Sequence, residues 1–271
     1  MQIRKEYKYL VHRDNLEKLR NRLLPFVELD KYVKNGNGYD YKVRSIYFDT
    51  GKMNYYCEKD AGIERRKKFR IRGYEDTSED SVVFLEVKRK KNEIVWKNRA
   101  PIKFKNIYGL FISKDTANLV LNHVKYPKAV NDADAFLYYF HKEFLVPVIL
   151  IVYNREPFFS KFNSDLRITF DKNIRSKICS TVNGLFNEHK EIYAINDYFV
   201  LEIKFNFGFP RWLDKIVREF GLIREAVSKY TICIDNHRPE IEKLFRHSSV
   251  EFFTQTFNNT KIFDEVLAKY D

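Results

Sequence analysis

The stretch Tyr198-Phe-Val-Leu-Glu202-Ile-Lys204-Phe205 decides the fold. Leu201, Ile203 and Phe205 alternate with Val200, Glu202 and Lys204, and successive side chains along a strand point to opposite faces. One face is therefore apolar, while the other carries a carboxylate and an ammonium. The same device recurs in Arg4-Glu6-Lys8, Arg70-Arg72, Glu86-Lys88-Lys90 and Arg167-Thr169-Asp171, read at every second position. A lone half-buried strand would turn such a face to water. Several of them together predict polar faces that meet inside an antiparallel β-barrel, in an α+β fold with flanking helices.

Composition sets the outer limits. At 271 residues, with 44% hydrophobic and 32% charged residues, the chain can bury a substantial core and reads as globular. Aromatics reach 16%, mostly Phe and Tyr, which favours strands over a helical bundle. The expectation is one domain over 1–271. A net charge of +12 predicts attraction to polyanions without choosing among them. Cys57, Cys179 and Cys233 form no C-x-x-C pair, so they read as reduced thiols packed as small apolar groups. The N-terminus is charged where a signal peptide needs an apolar core, and the longest apolar run, Phe144 to Tyr153, is short and broken by Pro147. The expected location is cytoplasmic, with no membrane span.

In chain order, Ile3 to Leu10 reads as a strand, and Asp14 or Asn15 as the cap of a helix over Leu16 to Leu24. Asn35-Gly-Asn-Gly38 is a turn, and Tyr39 to Phe48 a strand stopped at Asp49-Thr-Gly51. Met53 to Glu58 reads as a short helix. Ile63 to Tyr74 and Val82 to Lys91 form a hairpin, with another strand over Glu93 to Lys103. A helical excursion spans about 106–145, where Leu110, Leu119, Phe136, Leu137 and Phe140 recur at helical spacing. Strands resume at Val148 to Asn154, Leu166 to Asp171 and Tyr198 to Phe205. Arg211 to Phe220 is a helix closed by Gly221, Tyr230 to Ile234 is too short to assign, and a helical tail covers about 238–271. That tail packs on the barrel, or docks a protein partner.

Converging Lys and Arg need an answer. Two like charges about 4 Å apart repel by about 4 kcal/mol at an effective dielectric near 20. A fold that keeps such a cluster generally holds an anion against it. Arg suits two-pronged contact with phosphate oxygens, Lys acts as a movable point charge, and interleaved Glu can hold Mg²⁺ or Mn²⁺. Those are the parts that phosphoryl transfer requires. Arg65 and Lys67 lie on the opposite parity to Arg70 and Arg72 and read as solvated, as do Arg89 and Lys91. Tyr47, Phe48 and Asp49 read as structural. The histidines (His12, His123, His141, His189, His237 and His247) show no metal spacing. No Gly-rich phosphate loop is present, so a nucleotide would be held by its phosphates with loose base selectivity.

These residues also carry a resemblance. Glu6-Tyr-Lys8-Tyr-Leu-Val-His12, Ser45-Ile-Tyr-Phe-Asp49, Lys68-Phe-Arg70-Ile-Arg72-Gly-Tyr74, Phe84-Leu-Glu86-Val-Lys88, Tyr153-Asn-Arg155, Arg167-Ile-Thr-Phe-Asp171, Val200-Leu-Glu202-Ile-Lys204 and Ser228-Lys229-Tyr230 run in the order of the VTC domain. The chain thus resembles the catalytic module of polyphosphate polymerases, within the triphosphate tunnel metalloenzymes. The resemblance implies a tunnel barrel that grips a triphosphate. It implies phosphate contacts from Lys8, Arg70, Arg72, Lys88, Arg155, Arg167, Lys204 and Lys229, with the four arginines closest to the chemistry. It implies Mn²⁺ or Mg²⁺ on Glu202, with Glu86 and Glu6 in support. The family's eukaryotic members transfer the terminal phosphate of ATP to a growing polyphosphate chain threaded through the tunnel, so the implied partners are ATP or another nucleoside triphosphate and polyphosphate or pyrophosphate.

One departure bears on mechanism. The hydrolytic branch of the superfamily opens with Glu-x-Glu-x-Lys, whereas this chain has Arg4-Lys-Glu6-Tyr-Lys8. A cation replaces the first carboxylate, which favours phosphate gripping over a two-metal hydrolase. The alternatives are hydrolysis of tripolyphosphate or a nucleoside triphosphate at the same site, and a polyphosphate-binding module without catalysis. Nucleic-acid binding would instead predict a flat basic surface with exposed aromatics, and the buried alternation argues against it.

Overall fold

The computed structural model describes residues 4–30, 33, 38–91, 94–162, 165–206 and 208–246. Charged alternation becomes regular strand at β1 (Lys5–His12), β4 (Arg65–Gly73), β5 (Val82–Lys91) and β10 (Tyr198–Phe205), joined by β3 (Tyr41–Asp49), β6 (Ile94–Lys103), β7 (Val146–Ser160) and β8 (Arg167–Ile178). Short strands β2 (Val27–Leu29) and β9 (Ile192–Tyr193) were not legible in the pattern. All belong to one antiparallel sheet in the order β1-β10-β8-β7-β3-β4-β5-β6, with β2 added to β7 and β9 to β8.

The expected barrel is not closed by backbone. Among the described residues no ladder joins β1 to β6, the two ends of the path. The sheet curls instead until side chains bridge the gap, and Lys88 of β5 reaches Glu6 of β1 at 3.4 Å. Two register shifts help the curl, one between Tyr47 and Phe48 and one between Val152 and Asn154. Opposite the second, Asn173 sits at φ 52, a conformation Asn tolerates better than most residues. Beyond that point β8 exchanges parity, so Asp171 and Ile174 both face inward.

The outer face is covered by helices in two patches. Ile46, Phe48, Phe69, Leu85 and Leu150 pack under α3 (Ile107–Ser113) and α5 (Ala129–Lys142), with α4 (Thr116–Leu119) between them. Phe136 of α5 is fully buried, edge-on to Phe48 at 5.8 Å between ring centres. The second patch, with Ile168, Phe170, Leu201 and Ile203, packs under α1 (Leu16–Leu23) and α6 (Arg211–Glu219). Gly221, at φ 59, lets two amides close α6: Gly221 N–H donates to the Arg218 carbonyl and Leu222 N–H to that of Val217, both at 3.0 Å. The cap of α1 differs from expectation. Asn15 makes no side-chain bond there, and Arg13–Asn15 forms a 3-10 turn whose Asp14 N–H donates to His12 Nδ1.

Inside the curl, one end is plugged. Val43, Tyr47, Ile149, Ile151 and Val200 meet Tyr230, Cys233 and Ile234 of α7 (Lys229–Asn236). The Tyr230–Ile234 segment is therefore helical, its β-branched residues overridden by packing on the inner face. Asp49 anchors this end, accepting from the N–H groups of Thr50, Tyr55 and Tyr56, the last two in α2 (Asn54–Asp60). The expected tail begins as α8 (Arg238–Arg246), and the rest of it lies outside the described residues. So does most of the Asn35–Gly38 turn. The three cysteines are free thiols, and no described helix is long and apolar enough to cross a membrane.

Candidate functional site

Register alone brings opposite charges together on the inner face. Lys8 of β1 stands opposite Glu202 of β10, and Glu6 opposite Lys204. Lys8 Nζ lies 3.0 Å from Glu6 and 3.7 Å from Glu202, while Lys204 pairs with Glu202 and lies 3.9 Å from Glu6. On the next strands Arg155 of β7 stands opposite Asp171 of β8 and grips it with two bonds, 2.7 and 2.8 Å. Lys229, in the first turn of α7, reaches the same carboxylate at 2.5 Å. Across the lumen, Arg70 and Arg72 of β4 stand opposite Tyr47 and Ser45 of β3 and donate to their hydroxyls at 2.8 and 3.1 Å. Arg70 also binds Glu86 of β5 at 2.6 Å, and Arg72 donates to the Tyr153 hydroxyl at 3.2 Å.

The lumen is an ionic lattice in which cations outnumber carboxylates. Burial pushes the Glu6 carboxyl up and Glu202 adds to that, but Lys8, Lys88 and Lys204 outweigh both and hold it at about 2. Asp171 is likewise raised by burial yet held at about 2 by Arg155 and Lys229. Glu202 and Glu86 also stay well below the usual carboxylate range despite burial, Glu202 through Lys204 and Lys8, Glu86 through Arg70 and Arg72. The excess cations show the opposite strain. Burial lowers Lys97 to about 7, assisted by Arg70, Arg72 and Arg99 and opposed by Glu86. Its side chain keeps 41% of its surface exposed, and the water it meets tempers that push.

Every residue expected to bind phosphate lies on this inner face or its rim. Arg167 is at the rim, 3.5 Å from Asp30 and over the Phe159 ring. The three expected metal ligands divide into two groups. Glu6 and Glu202 adjoin one another, whereas Glu86 is enclosed by Arg70, Lys97, Arg99 and Arg72. Among the described residues no three His, Cys, Asp or Glu side chains cluster for a metal. Glu6 and Glu202 are the two carboxylates placed to share a hard divalent cation with phosphate oxygens and water, in exchange for the Lys8, Lys88 and Lys204 contacts they make here. Glu86, saturated by guanidinium and ammonium groups, does not fit as a third ligand.

Sequence reasoning missed Lys97 and Arg99 of β6, which reach Glu86 at 2.7 and 3.1 Å. The signal was present, since both share parity in the strand after the Glu86-Lys88 hairpin arm. It was masked because apolar Val95 shares their face while Asn98 interrupts the opposite one, whose Ala100 and Ile102 join the outer core. Asp171, expected only as part of the alternation, is the shared partner of Arg155 and Lys229. Lys67 corrects another expectation. It lies on the outer face as parity requires, but binds Glu143 at 2.9 Å and sits 4.2 Å from the centre of the Tyr139 ring, so it is held rather than solvated. Arg89 is held similarly by Asn98, while Lys91 is exposed as expected. His237 is a buried structural residue, 3.2 Å from Ser176 Oγ. An open surface cleft of about 570 Å³ between α1 and α6, lined by Lys18, Arg22 and Glu219, lies outside the sheet and shares no residue with the lumen.

No curated protein matches the chain. Among solved structures, a putative adenylyl cyclase from Hippeastrum, described as having a dominant triphosphatase activity, aligns over 85% of this chain and 95% of its own at 14% identity and a TM-score of 0.45. The Schizosaccharomyces pombe Mediator head module aligns over 82% of this chain and 99% of the matched one, at 8% identity and a TM-score of 0.37. The sequence model of one family does match, from residue 3 to residue 237, across every strand that contributes to the lumen, and the chain belongs to the VTC domain family.

Proposed function

We propose that this protein is a polyphosphate polymerase that transfers the terminal phosphoryl group of ATP or another nucleoside triphosphate to a polyphosphate chain held in the lumen. The observation that carries the reading is the meeting of Lys8, Arg70, Arg72, Lys88, Arg155 and Lys229 in one channel with too few carboxylates to neutralise them. Phosphoryl transfer asks mainly for oxygens that are neutralised and aligned, and this lumen supplies both.

Arg70 and Arg72, already fixed by Tyr47, Ser45 and Tyr153, are preorganised to meet the equatorial oxygens of the transferred group. Arg155 and Arg167 stabilise charge on the acceptor end, and Lys8, Lys88, Lys204 and Lys229 orient the chain. An oxygen of the acceptor's terminal phosphate attacks the γ-phosphorus. The bond to the β,γ-bridging oxygen breaks, and the nucleoside diphosphate leaves with that oxygen. No side-chain base is needed, because the attacking group is already anionic. Mg²⁺ or Mn²⁺ held by Glu202 and Glu6 would neutralise further charge on the triphosphate.

Incubation with ATP and Mn²⁺, followed by gel separation of the products, tests this directly. Chains longer than the primer support the polymerase. Free orthophosphate alone marks a hydrolase, unchanged ATP marks a binding module, and either result overturns the reading.

A further inference from the structure

Lys68 differs from the other cations of the lumen. Each of those has a carboxylate within ion-pair distance, whereas among the described residues Lys68 has none. Its Nζ donates to Ser228 Oγ at 2.8 Å and lies 5.6 Å from the centre of the Tyr230 ring. The strongest charges acting on it are cationic: Lys8 of β1, Lys59 of α2, Arg70 of its own strand, and Lys88, directly opposite it on β5. At the start of α7 it meets the hydroxyl of Ser228, the residue before the helix, and the ring of Tyr230, whose own hydroxyl is bound to Asp49 and on which Tyr47 of β3 stacks. Glu6 and Glu202, the nearest acidic pair along β1 and β10, are engaged by Lys8, Lys88 and Lys204.

We propose that the Lys68 amine is a phosphate receptor whose proton is held more firmly once its ligand, a linear phosphate chain lying against Ser228, arrives. This rests on the lumen being a phosphate-chain site, as argued above. Burial and the repulsion of Lys8, Lys88, Lys59 and Arg70 hold the amine well below the usual lysine range, so the free protein holds this proton less firmly than an exposed lysine would. A phosphate oxygen supplies the negative charge that the protein withholds at this point, and the ammonium form then prevails. Binding is coupled to proton uptake, and affinity falls as the solution becomes more basic. Lys68 is thus a positioning residue whose charge the phosphate chain stabilises and the empty tunnel does not.

Calorimetric titration of the full chain with sodium tripolyphosphate, in two buffers of different ionisation enthalpy near neutral pH, counts the protons taken up. The wild type is expected to take up more protons than Lys68→Arg, which stays charged throughout. Lys68→Met, which cannot be charged, is expected to bind more weakly and to lose the same uptake. Melting curves establish that each variant is folded. Equal proton uptake in the wild type and Lys68→Arg overturns the inference while leaving the polyphosphate reading intact. Failure of the folded wild type to bind tripolyphosphate at all overturns both.

Discussion

The hydroxyl of Tyr230 donates to the carboxylate of Asp49 at 2.5 Å, joining the helix that plugs the lumen to the end of the strand that begins the outer core. Asp49 is fully buried and also accepts from three backbone N–H groups. Asp49→Ala leaves those donors without a partner, and the protein should lose about 3 kcal/mol in urea unfolding. A loss under about 1 kcal/mol would contradict the anchoring role. The pH dependence has a definite sign. Burial raises the Asp49 carboxyl from 3.8 to about 7, against the pull of its hydrogen bonds. A proton favoured by the fold stabilises it fully below pH about 4, and that stabilisation is lost as pH rises through about 7. The stability difference between wild type and Asp49→Asn should therefore shrink across that window. A difference that stays constant with pH would rule out the shift.

Glu202→Gln keeps the shape of the side chain but removes the charge that Lys8 and Lys204 share. Arg70→Ala removes a guanidinium aimed into the lumen. Each should lower the rate of chain synthesis by about 100-fold or more, the scale seen when one preorganised electrostatic group is lost. Circular dichroism and melting curves should show a folded protein in both cases. Activity retained by both variants would place the chemistry elsewhere.

Acid should unfold the protein through Glu6 and Asp171, both held at about 2. Their native-state charge contributes stability that is complete above the ordinary carboxylate range and is lost as pH falls towards 2. Asp171→Asn should flatten this acid limb, measured as the midpoint of pH-induced unfolding by fluorescence. The same variant leaves Arg155 and Lys229 unanswered, so it should also be less stable than wild type at neutral pH.

Lys97 and Arg99 bring β6 into the charged wall of the lumen through Glu86. Lys97→Met and Arg99→Met should each weaken tripolyphosphate binding by about tenfold, in keeping with the loss of one charge-assisted hydrogen bond. Titration calorimetry reads this directly, and unchanged affinity in both would return β6 to a purely structural role.

Arg20 of α1 is a control outside the lumen. It is buried against Glu156, with bonds of 2.5 and 2.8 Å, and Lys172 reaches the same carboxylate at 2.9 Å. Arg20→Met leaves the buried Glu156 carboxylate to Lys172 alone and should cost about 1–3 kcal/mol in denaturant unfolding. Activity per folded molecule should not change, since the pair sits on the outer face. A selective loss of activity would show coupling that the geometry does not contain.

Much of the lumen was legible because a period of two survives wherever a strand is regular. Glu202 and Lys204, Arg70 and Arg72, and Glu86 and Lys88 all declared their face before any partner was known. Three things were hidden. The full length of β7 was obscured by Glu156 and Pro157, a buried charge and a residue that donates no ladder bond, although its backbone continues to Ser160. The helix α7 was obscured by Tyr230, Thr231, Ile232 and Ile234, whose strand preference yields to the inner-face core. The division of the acidic residues was beyond the alternation altogether, because it depends on which strands meet across the curl. Glu86 and Glu6 look alike along the chain, yet one is enclosed by guanidinium groups and the other adjoins a second carboxylate.

The break between β1 and β6 gives the channel an unusual elasticity. Along every other line around the cylinder, widening would tear a ladder of backbone hydrogen bonds. Along this one, parting the wall separates side chains such as Glu6 and Lys88 and spares the backbone. Girth is therefore set by ionic attraction at one seam. It should loosen with added salt and tighten when a polyanion draws the facing cations inward, so the cargo itself helps to zip its container shut.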